Sequence, residues 1–349
     1  MKVVVDDKIP YIKAAASRLF DEVVYLPGTE FRNSREVCNA DALIVRTRTH
    51  CDRELLGGTS VKFIATATIG FDHINTSDLE RLGIRWANCP GCNASSVGQY
   101  VRNSLALVSK AEGRRMEDYV VGIVGYGHVG HEVYKALRQA GCSILVNDPP
   151  LQEVGEADVV LVELSDIAKE CDVVTFHTPL QTDGNHPTFH LADSDFFAQL
   201  ARKPVIINAA RGGVVDEQAM IKAFGCGMID KMVVDTWEDE PNINHELLKK
   251  AAIATPHIAG YSADGKSNAT RMALRAVCDF FGIAIDDESE FLRLTAPPAL
   301  PPDCIPTGDV MKDWLALYNP HDDSERLKEH PGQFEWLRGN YPLRREGFA

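Results

Sequence analysis

The sequence predicts an α/β protein of two doubly wound parallel-sheet domains followed by a smaller C-terminal piece. Three observations carry that prediction. β-Branched runs alternate with amphipathic stretches in two separate series, one long helical pattern lies between the series, and the texture changes near residue 285. A chain of 349 residues with 45% hydrophobic content exceeds what one core usually serves.

In the first series, "KVVV", "EVVYL", "DALIVRT", "KFIATAT" and "IRWAN" read as strands, with "YIKAAASRLF" and "TSDLERLG" as helices between them. The pattern gives way near Cys92 to the long helix "ASSVGQYVRNSLALVSKAEG". "YVVGIVGYGHVG" opens the second series, which continues through "SILVND", "DVVTFH", "PVIINAA", "KMVVD" and "AAIATP". Residues 264–282 form an amphipathic helix that would return the chain to the first domain. Beyond it the sequence is Pro-rich and acidic, then ends in "FEWLRGNYPLRREGFA", whose aromatic and arginine residues read as an interaction surface. The expected division is residues 1–92 with 262–285, residues 93–261, and residues 286–349.

Charge and cysteine usage narrow the function classes. Fifty acidic residues against 36 basic ones leave a net charge of −14, which argues against nucleic acid or anionic membrane as a partner through bulk charge. An anionic ligand must find a local basic pocket. "MKVVVDDKIP" reads as a strand entering a turn, and no apolar run approaches the ~20 residues of a membrane span. A cytosolic protein is expected, and nine cysteines without repeating spacing fit reduced thiols. Cys89-Pro-Gly-Cys92 has the spacing of a redox motif but reads more simply as a turn before a helix. His177, His186 and His190 straddle a loop with no carboxylate at helical spacing, so no metal is expected.

Gly125-Tyr126-Gly127-His128-Val129-Gly130 matches G-x-G-x-x-G, follows the apolar strand "VVGIV" and opens the helical pattern "HEVYKALRQAG". In that context the glycines allow a tight turn and close backbone approach to a pyrophosphate at a helix N-terminus, which makes this domain Rossmann-like. "SILVND" ends at Asp148, whose carboxylate would take the adenosine ribose hydroxyls and repel a 2′-phosphate. Pro149 and Pro150 offer no arginine to such a phosphate, so NAD is expected rather than NADP.

Three later loops each deliver a charged or titratable group: Arg211 in "NAARGG", Glu240 in "DTWEDEP" and His257 in "TPHIAGY". Taken singly, Arg211 could pair with Asp216, and Glu240 could be one more solvated acid beside Asp239. Taken together behind a nucleotide loop, they match what oxidation of a 2-hydroxy acid requires: a cation for the carboxylate, a base for the hydroxyl proton, and a carboxylate to orient that base.

With "HTPL" (177–180), "NAARGGVVDE" (208–217), Glu240-Pro241 and Pro256-His257, the chain resembles the D-isomer-specific 2-hydroxyacid dehydrogenases over nearly its whole length. "TATIGFDHIN" (66–75), "CPGCNA" (89–94), "ELLKKAAIATPHIAGY" (246–261) and "PGQFEWLRGNYPLRRE" (331–346) resemble one branch of that family, which acts on a short phosphorylated hydroxy acid. The resemblance implies a flavodoxin-like substrate domain, a Rossmann-like NAD domain, a cleft between them, and a small C-terminal α+β dimerisation domain that makes a homodimer. It implies catalytic roles for Arg211, Glu240 and His257, with His257 as acid/base. It places Asp148, Thr178, Ala209, Ala210, Arg211, Asp235 and Gly260 with the glycine loop at the cofactor, and Thr47, Thr68 and Tyr261 at the substrate. Arg46 joins the substrate set because "VRTRTH" puts Arg46 and Arg48 at the end of a strand, where alternation would send both to one face. A dehydrogenase for another phosphorylated acid, such as 3-phosphoglycerate, and a non-catalytic NAD-sensing corepressor share these features. The intact Arg/Glu/His set weighs against the corepressor.

Overall fold

The computed structural model describes residues 1–301 and 304–348; Pro302 and Asp303 of the Pro-rich stretch, and Ala349, lie outside the described residues. The chain divides into two compact units, Met1–Asn93 with Ala263–Ala299, and Ala94–Ser262 with Leu300–Ala349. Residues 286–349, expected as one domain, are thus shared between the two units.

The first unit is built on five strands, β1 (Lys2–Asp6), β2 (Glu22–Leu26), β3 (Ala42–Val45), β4 (Phe63–Thr66) and β5 (Arg85–Ala87), in the order β2-β1-β3-β4-β5. All neighbouring pairs are parallel. Alternation along each strand feeds two cores: Val3, Val5, Ala42 and Ile44 face one side, Val4, Leu43, Val45 and Ile64 the other. The helix Ala263–Phe281 packs its Ala273, Leu274 and Val277 into the first of these cores, as its amphipathic pattern requires.

The second unit holds β6 (Val120–Val124), β7 (Ser143–Asn147), β8 (Val173–Phe176), β9 (Val205–Asn208), β10 (Lys231–Val234) and β11 (Ile253–Ala254), ordered β11-β10-β9-β8-β6-β7 and parallel throughout. Beyond β7 a single bridge, Val146 to Leu161, is all that remains of a further strand position among the described residues. The order reverses at β6, so the loops after β6 and β8 flank a topological switch point, where open α/β sheets bind their ligands.

The C-terminal residues 310–339 are short helices, and an isolated bridge from Arg344 to Ser262 ties the segment after them to the second unit. Their buried apolar side chains, among the described residues, join the cores of the second unit. Leu327 and Phe334 fill one core of the second unit and Tyr318 the other, each 5% exposed or less. Burying such a side chain contributes about 1.5–3 kcal/mol, so this segment is part of the unit that carries the glycine loop. No helix among the described residues is long and apolar enough to cross a membrane.

Candidate active site

The glycine loop follows β6 as its sequence demands. Gly125 has φ +93°, and a Cβ on Gly130 would lie 2.0 Å from the Gly125 carbonyl oxygen, so only glycine lets the helix His128–Gln139 start so close to the turn. A Cβ on Gly127 would meet no protein atom within 4 Å. That open space above a helix N-terminus is where a pyrophosphate fits. His128 is exposed and Val129 half-buried at the start of this helix. Beside the loop, after β8, the Thr178 hydroxyl is buried without a hydrogen-bond partner among the described residues. An orphaned hydroxyl beside the glycine loop is what a bound dinucleotide would satisfy.

Asp148 follows β7 and does more than the sequence suggested. One carboxylate oxygen accepts the Tyr126 N–H of the glycine loop at 2.7 Å, and the other accepts the Leu151 N–H at 2.9 Å, capping the helix Pro149–Val154. Each oxygen keeps a lone pair for a ribose hydroxyl.

The three catalytic candidates sit on loops after adjacent strands. β9, β10 and β11 are paired so that Asn208, Val234 and Ala254 are level, and Arg211, Glu240 and His257 follow those strand ends on one edge of the sheet. Gly212 brings two of the loops into contact, since a Cβ there would lie 1.8 Å from the Trp237 carbonyl oxygen. Asn208 ties them further, its side chain donating to the Arg211 carbonyl at 3.2 Å and to the Thr236 carbonyl at 3.5 Å. Ala209 and Ala210 are buried between strand and loop. Arg211 donates to the Ala210 carbonyl at 2.7 Å, is exposed, and forms no ion pair among the described residues. Asp216, its expected alternative partner, instead caps the helix Glu217–Gly225 and lies 3.7 Å from His190. The Arg211 charge is therefore available to a ligand.

Glu240 and His257 meet directly. His257 Nδ1 lies 2.8 Å from Glu240 Oε2 and 3.0 Å from Oε1, and Oε1 also accepts the Trp237 N–H at 3.0 Å. A carboxylate on Nδ1 fixes the tautomer that carries its proton on Nδ1 and leaves Nε2 as the acceptor. Burial works to raise the Glu240 carboxyl, but the His257 hydrogen bond and charge, the Trp237 N–H and Arg338 outweigh it and hold it below the usual value. It stays ionised at neutral pH.

His257 itself occupies the left-handed region at φ +55°, a conformation that surrounding structure must impose. Asp235, 1% exposed, imposes it. Its Oδ1 accepts the Thr255 hydroxyl at 2.6 Å and the Ile258 N–H at 2.8 Å, its Oδ2 accepts the Ala259 N–H at 3.0 Å, and its carbonyl accepts the His257 N–H at 2.9 Å. Gly260 sits in the turn closed by Tyr261 N–H to the Ile258 carbonyl at 2.9 Å.

The structure also adds residues that the sequence reading left outside the site. Arg344 donates to the carbonyls of Ile258, Ala259 and Tyr261 at 3.0, 2.6 and 2.8 Å, and Arg338 reaches Glu240 at 3.6 Å and the Tyr261 hydroxyl at 3.3 Å. Both lie in the terminal stretch read as an interaction surface. Their only signal in sequence was arginine among aromatics in a net acidic chain.

In the first unit, β3 ends at Val45, and residues 46–49 form a turn closed by Thr49 N–H to the Arg46 carbonyl at 3.0 Å. Strand alternation does not extend to Arg46 and Arg48, which corrects the argument that aimed both at one face. Arg46 pairs at 3.1 Å with Asp6, whose side chain is fully buried, while Thr47 is exposed. Thr68 is half-buried after β4, its hydroxyl 2.6 Å from Thr66, which in turn meets His73. Cys89 and Cys92 are free, buried thiols in a turn that leads into the helix Ala94–Glu112, with burial pushing them up to about 12 and about 11. That chemistry is inert at neutral pH.

A glycine-turn cofactor cradle on one sheet, with an arginine, a histidine and its carboxylate on neighbouring strand ends, defines a nicotinamide-dependent 2-hydroxyacid dehydrogenase. The family model for the D-isomer specific 2-hydroxyacid dehydrogenase NAD binding domain matches residues 94–259. The chain is 51% identical over 347 residues to the erythronate-4-phosphate dehydrogenase of Bacteroides thetaiotaomicron, covering 99% of this chain and 97% of that one. It is 40% identical to the enzyme of the same name from Porphyromonas gingivalis, covering 99% and 94%. Among solved structures, D-2-hydroxyisocaproate dehydrogenase shares the fold with a TM-score of 0.67 at 21% identity, covering 82% of this chain and 98% of that one. D-lactate dehydrogenase from Aquifex aeolicus, complexed with NAD and lactic acid, gives a TM-score of 0.55 at 21% identity, covering 81% and 96%. The chain belongs to the erythronate-4-phosphate dehydrogenases, a branch of the D-isomer-specific 2-hydroxyacid dehydrogenases. Its cofactor is NAD.

Two outcomes check this geometry. Glu240→Gln removes the negative charge beside the imidazole, so a protonated His257 is less favoured. The acidic limb of the kcat/KM profile for hydroxy-acid oxidation moves to lower pH, and the plateau falls by about 10²-fold or more as tautomer control is lost. An unmoved limb with intact NAD binding contradicts the pairing. Asp148→Asn keeps an acceptor for one of the two N–H groups but removes the charge. Titration of both cofactors should show the NAD preference reduced by about tenfold or more, ~1.4 kcal/mol; an undiminished preference places selectivity elsewhere.

Proposed function

We propose that this chain oxidises 4-phospho-D-erythronate to 2-oxo-3-hydroxy-4-phosphobutanoate, a step of pyridoxal 5′-phosphate biosynthesis. The observation that carries the reading is the Glu240–His257 pair beside an unpaired Arg211, on a chain that matches enzymes of that name from end to end. Arg211 takes the substrate carboxylate, which orients C2. His257 Nε2 accepts the proton of the C2 hydroxyl, and Glu240 stabilises the imidazolium that forms. Bound NAD would supply the acceptor for the hydride that leaves C2. In the reverse direction His257 returns the proton to the ketone oxygen. Pyrophosphate contacts fall to residues 125–130, ribose contacts to Asp148, and the dinucleotide's remaining contacts to Thr178, Ala209, Ala210, Asp235 and Gly260. Thr47, Thr68 and Tyr261 contact the substrate, and Arg46 supplies charge for its phosphate.

A homodimer fits the exposed Ile305, Val310 and Trp336, which are 68, 58 and 62% exposed within the C-terminal segment. A cytosolic location fits nine cysteines that are all free thiols.

Initial-rate assays with NAD decide the substrate. The wild-type kcat/KM for 4-phosphoerythronate should exceed that for erythronate by about 10²-fold or more, because a missing phosphate leaves the charge at Arg46 without its ligand. It should also exceed that for 3-phosphoglycerate, whose shorter chain carries its phosphate one carbon nearer the carboxylate. Equal rates on erythronate would refute a phosphorylated substrate. Arg46→Ala is a poor probe, since it strands the buried Asp6 carboxylate at a cost of about 3–5 kcal/mol. Sedimentation of the full chain should give twice the monomer mass, and a monomer at micromolar concentration would refute the dimer.

A further inference from the structure

The active-site geometry just described leaves one charge unassigned. We propose that Arg338 is a positioning residue of the catalytic site, holding the Glu240 carboxylate and the Tyr261 hydroxyl in register and competing with His257 for the negative charge of Glu240.

The same carboxylate oxygen, Glu240 Oε2, is 2.8 Å from His257 Nδ1 and 3.6 Å from the Arg338 guanidinium. The guanidinium Nε reaches the Tyr261 hydroxyl at 3.3 Å. Arg338 therefore touches both the group that orients the histidine and a side chain four residues beyond it. Its other ionic partner, Glu335 at 3.7 Å, is largely exposed and too weakly held to set its position. Delivery of the guanidinium is rigid. Its helix, Phe334–Gly339, is pinned by Phe334, 1% exposed in the core, and the following Arg344 is buried against the carbonyls of the histidine loop. A surface arginine serving solubility needs neither anchor.

The charges packed on the histidine loop include Arg344, whose buried guanidinium sits on the carbonyls of Ile258, Ala259 and Tyr261. Glu240 meets His257, Arg338 and the Trp237 N–H, and the buried Asp235 lies beneath the histidine loop and feels its charge. Among the described residues, Arg338 is the fixed cation paired with the Glu240 carboxylate, while Arg344 faces the loop carbonyls. Arg338 opposes protonation of His257, while Glu240 favours it. The arginine thus balances the carboxylate, so that the base is oriented without being made too reluctant to stay neutral for oxidation.

This inference rests on the proposed oxidation of a 2-hydroxy acid but not on which acid. Its test is the pH profile of kcat/KM in Arg338→Gln and Arg338→Lys, with NAD affinity titrated alongside. Removing the cation in Arg338→Gln should move the acidic limb to higher pH by about half a unit or more, opposite to Glu240→Gln, with NAD affinity unchanged. Arg338→Lys keeps the charge and should return the limb most of the way, with kcat still lowered because a lysine cannot span both partners. A limb unmoved in Arg338→Gln overturns the proposal. So does a loss confined to KM for the phosphorylated acid with erythronate unaffected, which would make the guanidinium a substrate contact. If Arg338→Gln does not fold, a limb displaced in Arg338→Lys as far as half a unit overturns it equally. Should wild type prefer another 2-hydroxy acid, the substrate reading fails while the limb, measured on that acid, still decides the role of Arg338.

Discussion

The site depends on how the backbone of residues 255–261 is held. Its donors are satisfied from below by one buried carboxylate, Asp235, and its carbonyls by one buried guanidinium, Arg344. A loop at the end of a two-residue strand has few ladder bonds to fix it, and a left-handed histidine costs of order 1–3 kcal/mol. Charged groups that are desolvated but fully hydrogen-bonded supply what the sheet does not. Burial pushes the Asp235 carboxyl up, opposed by the His257 charge and the loop's own donors.

This arrangement gives the C-terminal segment a second meaning. Through Leu327, Phe334 and Tyr318 it completes the cores of the cofactor unit, and through Arg338 and Arg344 it reaches the catalytic loop. Core packing and contact with the histidine loop are thereby carried by neighbouring residues of one stretch. A change at the exposed Trp336 and a change at Arg338 lie two positions apart, yet the first would act on the surface and the second on the base.

How much of this was legible in the sequence follows from the range of the interactions. The glycine loop, Asp148 and the loops of Arg211, Glu240 and His257 were readable because each is a local pattern: a strand end, a turn residue, a helix start. The sheets were readable because parallel strands buried on both faces are near-continuous apolar runs. The aim of Arg46 was misread because alternation holds only while the chain stays extended, and β3 stops one residue earlier. Arg338 and Arg344 were invisible as site residues because their partners are some 80 residues away and backbone carbonyls leave no mark in a sequence. The contacts of the C-terminal stretch with the cores of the second unit were hidden for a related reason. A short Pro-rich and aromatic stretch cannot announce which core it completes.

A crystal structure with NAD and 4-phosphoerythronate, trapped in a Glu240→Gln variant, tests the central claim most directly. The account predicts the pyrophosphate above Gly127, the substrate carboxylate on Arg211, and the C2 hydroxyl within hydrogen-bond distance of His257 Nε2. A substrate bound with its carboxylate away from Arg211, or with His257 facing no exchangeable hydroxyl, would contradict it.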